Sequence, residues 1–123
     1  MLPLFALLLF VSPLCHAVEG MDFVNADDQT GYYVDLGSVT REEENLLNAK
    51  IAVVKAATNR LYTYTMQFNL EKRTYRILHS EVLAYDTREV LESNSSSDAE
   101  RFYGPASMMQ EIIDYILYPE KRQ

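Results

Sequence analysis

The sequence predicts an α+β fold: a single antiparallel sheet of about four to six strands, with a C-terminal helix packed on one face. Residues 61–70 alternate apolar and polar side chains over ten positions, a period of two that is typical of a half-buried strand. Other short segments rich in β-branched and aromatic residues flank this one along the chain. The last apolar residues, from Met108 to Leu117, have 3,4-spacing instead, which predicts one helix with a wide apolar face.

Length and charge limit the function classes. A chain of 123 residues with 48% hydrophobic residues is long enough for one small globular domain. It carries 11 Lys and Arg against 18 Asp and Glu, a formal net charge of −7. Binding to nucleic acid requires a surplus of basic residues that neutralise phosphates, so we expect no nucleic-acid partner.

Residues 1–17 contain no Lys, Arg, Asp or Glu. Their apolar run, Leu2 to Val11, is shorter than the roughly 20 residues that cross a bilayer. A helix-breaking Ser12-Pro13 and a small residue, Ala17, follow it, which predicts a secretory signal peptide cleaved after Ala17. We therefore expect an exported protein of the periplasm or cell surface, with no transmembrane helix after cleavage. An uncleaved anchor and a lipid on Cys15 are the alternatives, although bulky Leu14 fits lipidation poorly.

Cleavage after Ala17 would remove Cys15, the only cysteine. The mature chain could then form no disulfide, and it could use neither a catalytic thiol nor a thiolate metal ligand. Its stability would have to come from the apolar core, which a chain of this size can build unaided.

The elements are predicted in order from local patterns. Residues 18–30 are polar and acidic, and we expect a flexible N-terminal segment with at most a short pairing at Phe23-Val24. The predicted domain, residues 31–118, begins with a strand over 31–35, followed by a connection over 36–44. Further strands are predicted at residues 50–57, 61–70, 74–85 and 88–92, with turns at 59–60 and 71–73.

The C-terminal third is predicted to contain a loop, an edge strand and the helix. Residues 93–100 are a polar low-complexity segment in which we expect a mobile loop, and residues 101–104 are predicted to pair briefly at the sheet edge. Pro105 and Ser107 are typical of a helix start, and Pro119 of a helix stop. Residues 119–123 form a charged tail.

One candidate partner-binding surface follows from the strand pattern. Tyr62, Tyr64, Met66 and Phe68 share one face of the best-defined strand, and Tyr75 lies on the facing strand. These side chains either line the core beneath the helix or form an exposed patch for a protein partner, because Tyr and Met are enriched at interface cores.

The residues that could carry chemistry give weak signals. His79 is the only histidine of the mature chain, and its neighbours Ser80 and Glu81 point to opposite faces, so these three cannot converge as a triad. An enzyme using His79 with a carboxylate from another strand stays open as a hypothesis. The acidic groups at residues 27–28 and 42–44 lack the spacing of a calcium loop, and Asn94-Ser95-Ser96 matches a glycosylation sequon. We assign no catalytic residue, no metal and no cofactor.

Three segments in order resemble the surface-adhesin protein E family, a group of small exported proteins of Gram-negative bacteria. The first is Tyr32-Tyr33-Val34-Asp35 followed by Ser38-Val39, and the second is Arg73-Thr74-Tyr75-Arg76-Ile77-Leu78 with Tyr85 beyond it. The third is Pro105-x-Ser107, which leads into the apolar helix. The positions that match the family's motifs are Tyr32, Tyr33, Asp35, Ser38, Tyr75, Ile77, Leu78, Pro105 and Ser107.

The resemblance, which spans Tyr32 to Tyr118, implies a sheet with a C-terminal helix across one face. It also implies export and, for the named member group, adhesion to host matrix proteins. We expect an exported, non-enzymatic protein that binds a host matrix protein or an envelope component through a sheet edge or the tyrosine-rich surface. Family members commonly carry a cysteine pair that is absent here, where Ser80 and a position near Leu117 or Tyr118 stand instead. The alternative function is a periplasmic small-ligand carrier or envelope accessory protein, which a hydrophobic pocket between sheet and helix would mark. The sequence predicts no oligomeric state.

Overall fold

The computed structural model describes residues 18–122, so the predicted signal peptide at residues 1–17 lies outside the described residues. Within that range the chain forms one antiparallel sheet and one C-terminal α-helix, which confirms the predicted α+β fold. The strands are β1 (Asp22–Asp27), β2 (Thr30–Glu43), β3 (Leu46–Lys55), β4 (Arg60–Asn69), β5 (Thr74–Ala84), β6 (Val90–Asn94) and β7 (Arg101–Phe102), and the helix is α1 (Met108–Leu117).

The sheet is an antiparallel meander in which β1 to β6 lie side by side in chain order. The short β7 pairs with the start of β5, so β6 and β7 share the same outer edge of β5. Tight turns join the strands: Asp28 and Gln29 both have positive φ between β1 and β2, and Asn59 has a left-handed conformation before β4. Asn and Asp tolerate this region better than other residues with a side chain.

The core lies between α1 and one face of the sheet. Ile112 and Ile113 of α1 pack with Val34, Ile51 and Phe68, each at most 2% exposed. Leu47, Ala49, Met66 and Tyr103 complete this buried cluster. The period of two in residues 61–70 therefore correctly predicts the helix-side face of β4, since burying its apolar positions supplies the main stabilisation.

The helix begins and ends where its flanking residues predict. The Ser107 hydroxyl accepts a hydrogen bond from the backbone N–H of Gln110, at 3.3 Å, and so caps the first turn. Glu111 lies in that first turn, where a carboxylate interacts favourably with the helix dipole. Leu117 ends the helix before Pro119, which starts a single 3₁₀ turn over Pro119–Lys121.

The N-terminal segment differs from the prediction. Residues 18–30, expected to be flexible, contain β1 and the first residue of β2. Val18 and Met21 pack on the face opposite the helix, against a small cluster of Ala52, Val54 and Leu61. The local sequence is polar because β1 is an edge strand with little burial. Hydrogen bonding to β2, and not burial of apolar side chains, orders β1.

Two further segments are more regular than predicted. Residues 36–43, expected to be a connection, continue β2, with an irregularity between Asp35 and Thr40. Side chains bridge that irregularity: the Asp35 carboxylate accepts from the N–H of Gly37 at 3.0 Å, and the Ser38 hydroxyl accepts from the N–H of Lys50 at 2.8 Å. In the charged tail, the Arg122 guanidinium donates to the carbonyl of Tyr115 at 2.8 Å, which ties the tail to α1.

Candidate functional site

The structure divides the predicted binding residues into two groups. Met66 is 3% exposed and Phe68 is fully buried, so both belong to the core and neither contributes to an exposed patch. Tyr64 and Tyr75 are partly buried and pack against the edge of that core. Tyr62 is partly buried too and belongs to neither buried cluster. Of the five predicted binding residues, the three tyrosines are therefore the ones that could still contact a partner.

The helix covers only part of its side of the sheet. The cross-strand register places Tyr32 opposite Val53, Val53 opposite Tyr62, and Tyr62 opposite Val82, in one row across β2 to β5. Val53 and Tyr62 lie outside the cluster that α1 closes; Val53 is 9% exposed and Tyr62 is half-buried, whereas Ile51 in the next row is fully buried. We call Tyr32, Val53, Tyr62, Tyr64 and Val82 the tyrosine surface.

The hydroxyl groups of Tyr32 and Tyr64 stay neutral at ordinary pH. Burial raises the pKa of Tyr64, and the proximity of Tyr62, Tyr32 and Tyr75 raises it further. The pKa of Tyr32 is also raised, by burial first and then by the Asp27 carboxylate. A neutral phenol both donates and accepts hydrogen bonds, so these rings offer a partner apolar faces and polar tips together.

One cation borders this surface. The Lys55 ammonium lies 5.9 Å from the centre of the Tyr62 ring, within the range of a cation–π contact. Lys55 is the last residue of β3 and is exposed. A partner that covers Tyr62 would therefore also contact this positive charge.

The motif positions near the N-terminus serve different roles. Tyr32 belongs to the tyrosine surface, whereas Tyr33 lies on the opposite face, its ring 5.4 Å from that of Phe23 in an edge-on arrangement. Asp35 and Ser38 form the side-chain bridge across the irregular part of β2. The structure does not bring these four residues together into one site.

The remaining motif positions have structural roles. Tyr75 and Ile77 pack against the core. Leu78 lies at a register shift, because Thr65 pairs with His79 while Met66 pairs with Ile77. Pro105 precedes the helix, and Ser107 caps it. The motif therefore consists mainly of fold determinants, with Tyr32 in the tyrosine surface and Tyr75 close to Tyr64 of that surface.

A second polar constellation contains a residue that sequence analysis missed. The Oγ of Ser95 lies 3.0 Å from Nδ1 of His79, and an Oε atom of Glu81 lies 3.5 Å from Nε2 of the same ring. His79 and Glu81 share one face because they are two residues apart in β5, while Ser95 follows β6. Ser95 lies in a low-complexity segment whose one motif, the sequon at Asn94, does not point to His79, so only the strand pairing places it there.

This constellation is exposed, and its loop amides are already engaged. The side chains of His79 and Glu81 are 38% and 34% exposed. Attack by a serine develops an oxyanion that needs backbone N–H donors. The N–H of Ser96 donates to Asn94 Oδ1 at 2.9 Å, and the N–H of Asp98 donates to the carbonyl of Ile77 at 3.0 Å. These contacts hold the loop against β5, which fits a structural role for Ser95.

A cleft of about 550 Å³ lies between α1 and the edge strand β1. Its lining combines aromatic, polar and charged side chains: Phe23, Val24, Asn25, Glu111, Asp114, Tyr115 and Lys121. Asn25 donates to the Glu111 carboxylate at 2.6 Å, which closes part of the gap. The cleft thus lies at the margin of the helix–sheet interface, and Ile112 and Ile113 fill the middle of that interface.

Among residues 18–122, no group of three or more His, Cys, Asp or Glu side chains is placed to hold a metal ion. The helices in this part of the chain are all too short or too polar to cross a bilayer. Comparison of the chain with protein-family models, with curated proteins and with solved structures returned no match.

Proposed function

We propose that this chain is an exported, non-enzymatic binding protein that contacts a protein partner through the tyrosine surface. The observation that supports the proposal is the row Tyr32–Val53–Tyr62–Val82, in which Tyr62 lies outside the cluster that the helix closes, beside a row whose Val34 and Ile51 are fully buried. The resemblance to the surface-adhesin protein E family supports a host matrix protein or an envelope component as the partner.

The chemistry of the surface fits protein recognition. Tyrosine offers a large rigid contact area and loses few rotatable bonds on binding, so it is enriched where binding energy is concentrated. The surface also lies on central strands, whose backbone is held on both sides, and a partner would meet a preformed shape. Its rim carries the Lys55 ammonium and the Asp27 carboxylate, which would orient a partner more than they would strengthen binding.

Capture of a partner by the mature chain, residues 18–123, tests this proposal. The immobilised protein is exposed to purified extracellular-matrix proteins and to an envelope extract, and bound proteins are identified by mass spectrometry. We expect Tyr62→Ser to reduce capture about tenfold, because loss of a central aromatic contact typically costs more than 1 kcal/mol. Tyr118→Ser, at a residue that is 42% exposed and caps the C-terminal end of α1, is the matched control.

Two results would refute the proposed surface. One is the absence of any captured protein above background. The other is equal capture by the wild type and by Tyr62→Ser, with both proteins showing the same unfolding midpoint.

The cleft between α1 and β1 favours the small-ligand carrier as a second candidate. Its mixed lining would suit a small polar ligand with an apolar part. Native mass spectrometry of the exported protein tests this function. A ligand that copurifies with the wild type, and is lost in Tyr115→Ala but retained in Tyr62→Ser, would favour the carrier over the adhesin-like binder.

A further inference from the structure

The two edges of the sheet differ in how they are protected. At β1, a register shift lies between Phe23 and Asn25, and the helix side chains reach over the strand. Asn25 is hydrogen-bonded to Glu111, and Asp22 accepts from the Tyr115 hydroxyl at 2.9 Å. A bulge, acidic side chains and a covering helix are devices that prevent another strand from pairing at an edge. The β1 edge is therefore partly covered by α1.

The opposite edge also has a bulge and an acidic residue, Glu92, but among the described residues the helix lies against β1 and β2, at the other side of the sheet. All five residues of β6 are exposed, and among the described residues β6 pairs with β5 alone. Val90, Leu91 and Phe102 are 51%, 42% and 79% exposed, and all three lie in the strands on this outer edge. β6 contains neither Lys nor Pro, and its one irregularity, at Leu91, turns an apolar side chain toward solvent. Its outer backbone N–H and C=O groups are thus available to a strand.

We propose that β6 accepts an extended segment of the partner as an additional antiparallel or parallel strand. The inference rests on the proposed binding function and specifies how the partner attaches. The row of the tyrosine surface continues onto this edge, because Val82, which pairs with Tyr62, also pairs with Glu92 of β6. A strand added beside Glu92 would therefore lengthen the tyrosine surface by one strand. Main-chain hydrogen bonds supply affinity in such strand addition, and alternate side chains supply specificity.

Charge defines the chemistry of the added strand. Residues 81–101, which include β6, contain six carboxylates and two guanidinium groups. Glu92 and Glu81 lie on opposite faces of the sheet. Glu92 pairs with Val82 and shares its face, whereas Glu81, the chain neighbour of Val82, points to the other face. A partner segment with Lys or Arg at alternate positions and β-branched residues between them is complementary. A second copy of this chain is not complementary to this edge. Each copy carries a net charge of −7, and pairing would bring a second Glu92 to the same edge.

Synthetic peptides test strand addition without a known partner. The probe is a fluorescent seven-residue peptide that alternates lysine and valine, and its anisotropy is measured against the mature chain. Two peptides are matched controls: one has glutamate in place of lysine, and the other has the lysine–valine sequence with every backbone nitrogen methylated. N-methylation keeps every side-chain charge and removes the hydrogen-bond donors along both edges of the strand, so it separates strand pairing from simple attraction.

We expect saturable binding of the lysine–valine peptide, and no binding of the glutamate or N-methylated peptide. Glu92→Lys should weaken binding about fivefold at low salt, whereas Glu44→Lys, the same change in the β2–β3 turn, should weaken it less than twofold. Equal binding of the methylated peptide, or equal loss in both variants, would overturn the inference. Concentration-dependent dimerisation of the protein without peptide would also overturn it, in favour of self-association.

This outcome is separable from that of the proposed function. Failure of the peptide, together with partner capture that depends on Tyr62, would remove strand addition and leave the tyrosine surface. Binding of the peptide, together with partner capture that is unaffected by Tyr62→Ser, would remove the tyrosine surface and leave the edge.

Discussion

The hydroxyl of Tyr115 donates a hydrogen bond to the carboxylate of Asp22 over 2.9 Å, and so joins the C-terminal helix to the first strand across 93 residues of sequence. On the other side of the same ring, the Arg122 guanidinium lies 5.1 Å from its centre. The Tyr115–Asp22 hydrogen bond holds α1 against the β1 side of the sheet, and Arg122 holds the charged tail near the helix. The tyrosine surface and β6 lie away from these contacts.

Replacement of Tyr115 by Phe removes this hydrogen bond and retains the ring. We expect the free energy of unfolding to fall by about 1 kcal/mol, because the acceptor is a charged but partly solvated carboxylate. Urea denaturation measures the change. Tyr118→Phe is the control, since its ring is 42% exposed, and we expect it to change stability by less than about 0.5 kcal/mol. Equal effects of the two variants would show that the Tyr115–Asp22 contact does not stabilise the fold.

The free energy of unfolding should fall at alkaline pH because buried and half-buried tyrosines lose their protons less readily in the folded chain. Burial raises the pKa of Tyr64, Tyr103 and Tyr115 above the ordinary value of 10.0. Above pH 10.0 the unfolded chain therefore loses these protons before the folded chain does, and the free energy of unfolding decreases as pH rises. Their contribution is fully present below that pH. Urea denaturation between pH 8 and pH 11 should show a smaller decrease for Tyr64→Phe than for the wild type, and a decrease identical to the wild type would contradict the assignment.

The β1–β2 turn offers a stabilising substitution. Gln29 has φ of 70°, in the left-handed region where a side chain costs about 1 kcal/mol and glycine costs nothing. Gln29→Gly should raise the free energy of unfolding by about 0.5–1 kcal/mol. The higher conformational entropy of glycine in the unfolded chain offsets part of this gain. Gln29→Ala keeps the steric cost and is the control. Destabilisation by Gln29→Gly would mean that the turn does not adopt this conformation in solution.

The proposed non-enzymatic function predicts that Ser95 is an ordinary serine. His79 is placed to accept its proton, but the Ser96 N–H donates to Asn94 and the Asp98 N–H donates to Ile77 of β5, so neither is free to stabilise an oxyanion. A fluorophosphonate probe should therefore add no mass to the intact protein under conditions that label a serine esterase completely. An adduct on Ser95 that disappears in His79→Ala and persists in Ser96→Ala would instead identify a nucleophile.

Sequence periodicity predicted the parts of the fold that depend on burial. The alternation in residues 61–70 and the 3,4-spacing around Ile112 follow directly from which side chains must leave water, and both were confirmed. The edge strand β1 and the continuation of β2 could not be predicted in this way. Their order comes from cross-strand pairing and from bridges such as Ser38 to Lys50, which connect residues 12 apart in sequence.

The candidate site was predictable only in part. Tyr62 and Tyr64 follow from the strand pattern, but periodicity alone could not separate them from Met66 and Phe68, which share their face. The length of α1 decides which rows it covers, and the register of three neighbouring strands decides that Tyr32 joins them. The helix coverage and the strand register are properties of the assembled sheet, so a pattern within one strand could not predict them.

Chemical footprinting of the tyrosines tests the central claim most directly. Hydroxyl radicals oxidise accessible side chains of the mature protein alone and bound to a captured partner, and mass spectrometry reads each residue. The account predicts that the partner protects Tyr32 and Tyr62 and leaves the oxidation of Tyr118 unchanged. Protection of Phe23 and Tyr115 at the α1–β1 cleft, with Tyr62 oxidised equally in both samples, would contradict it.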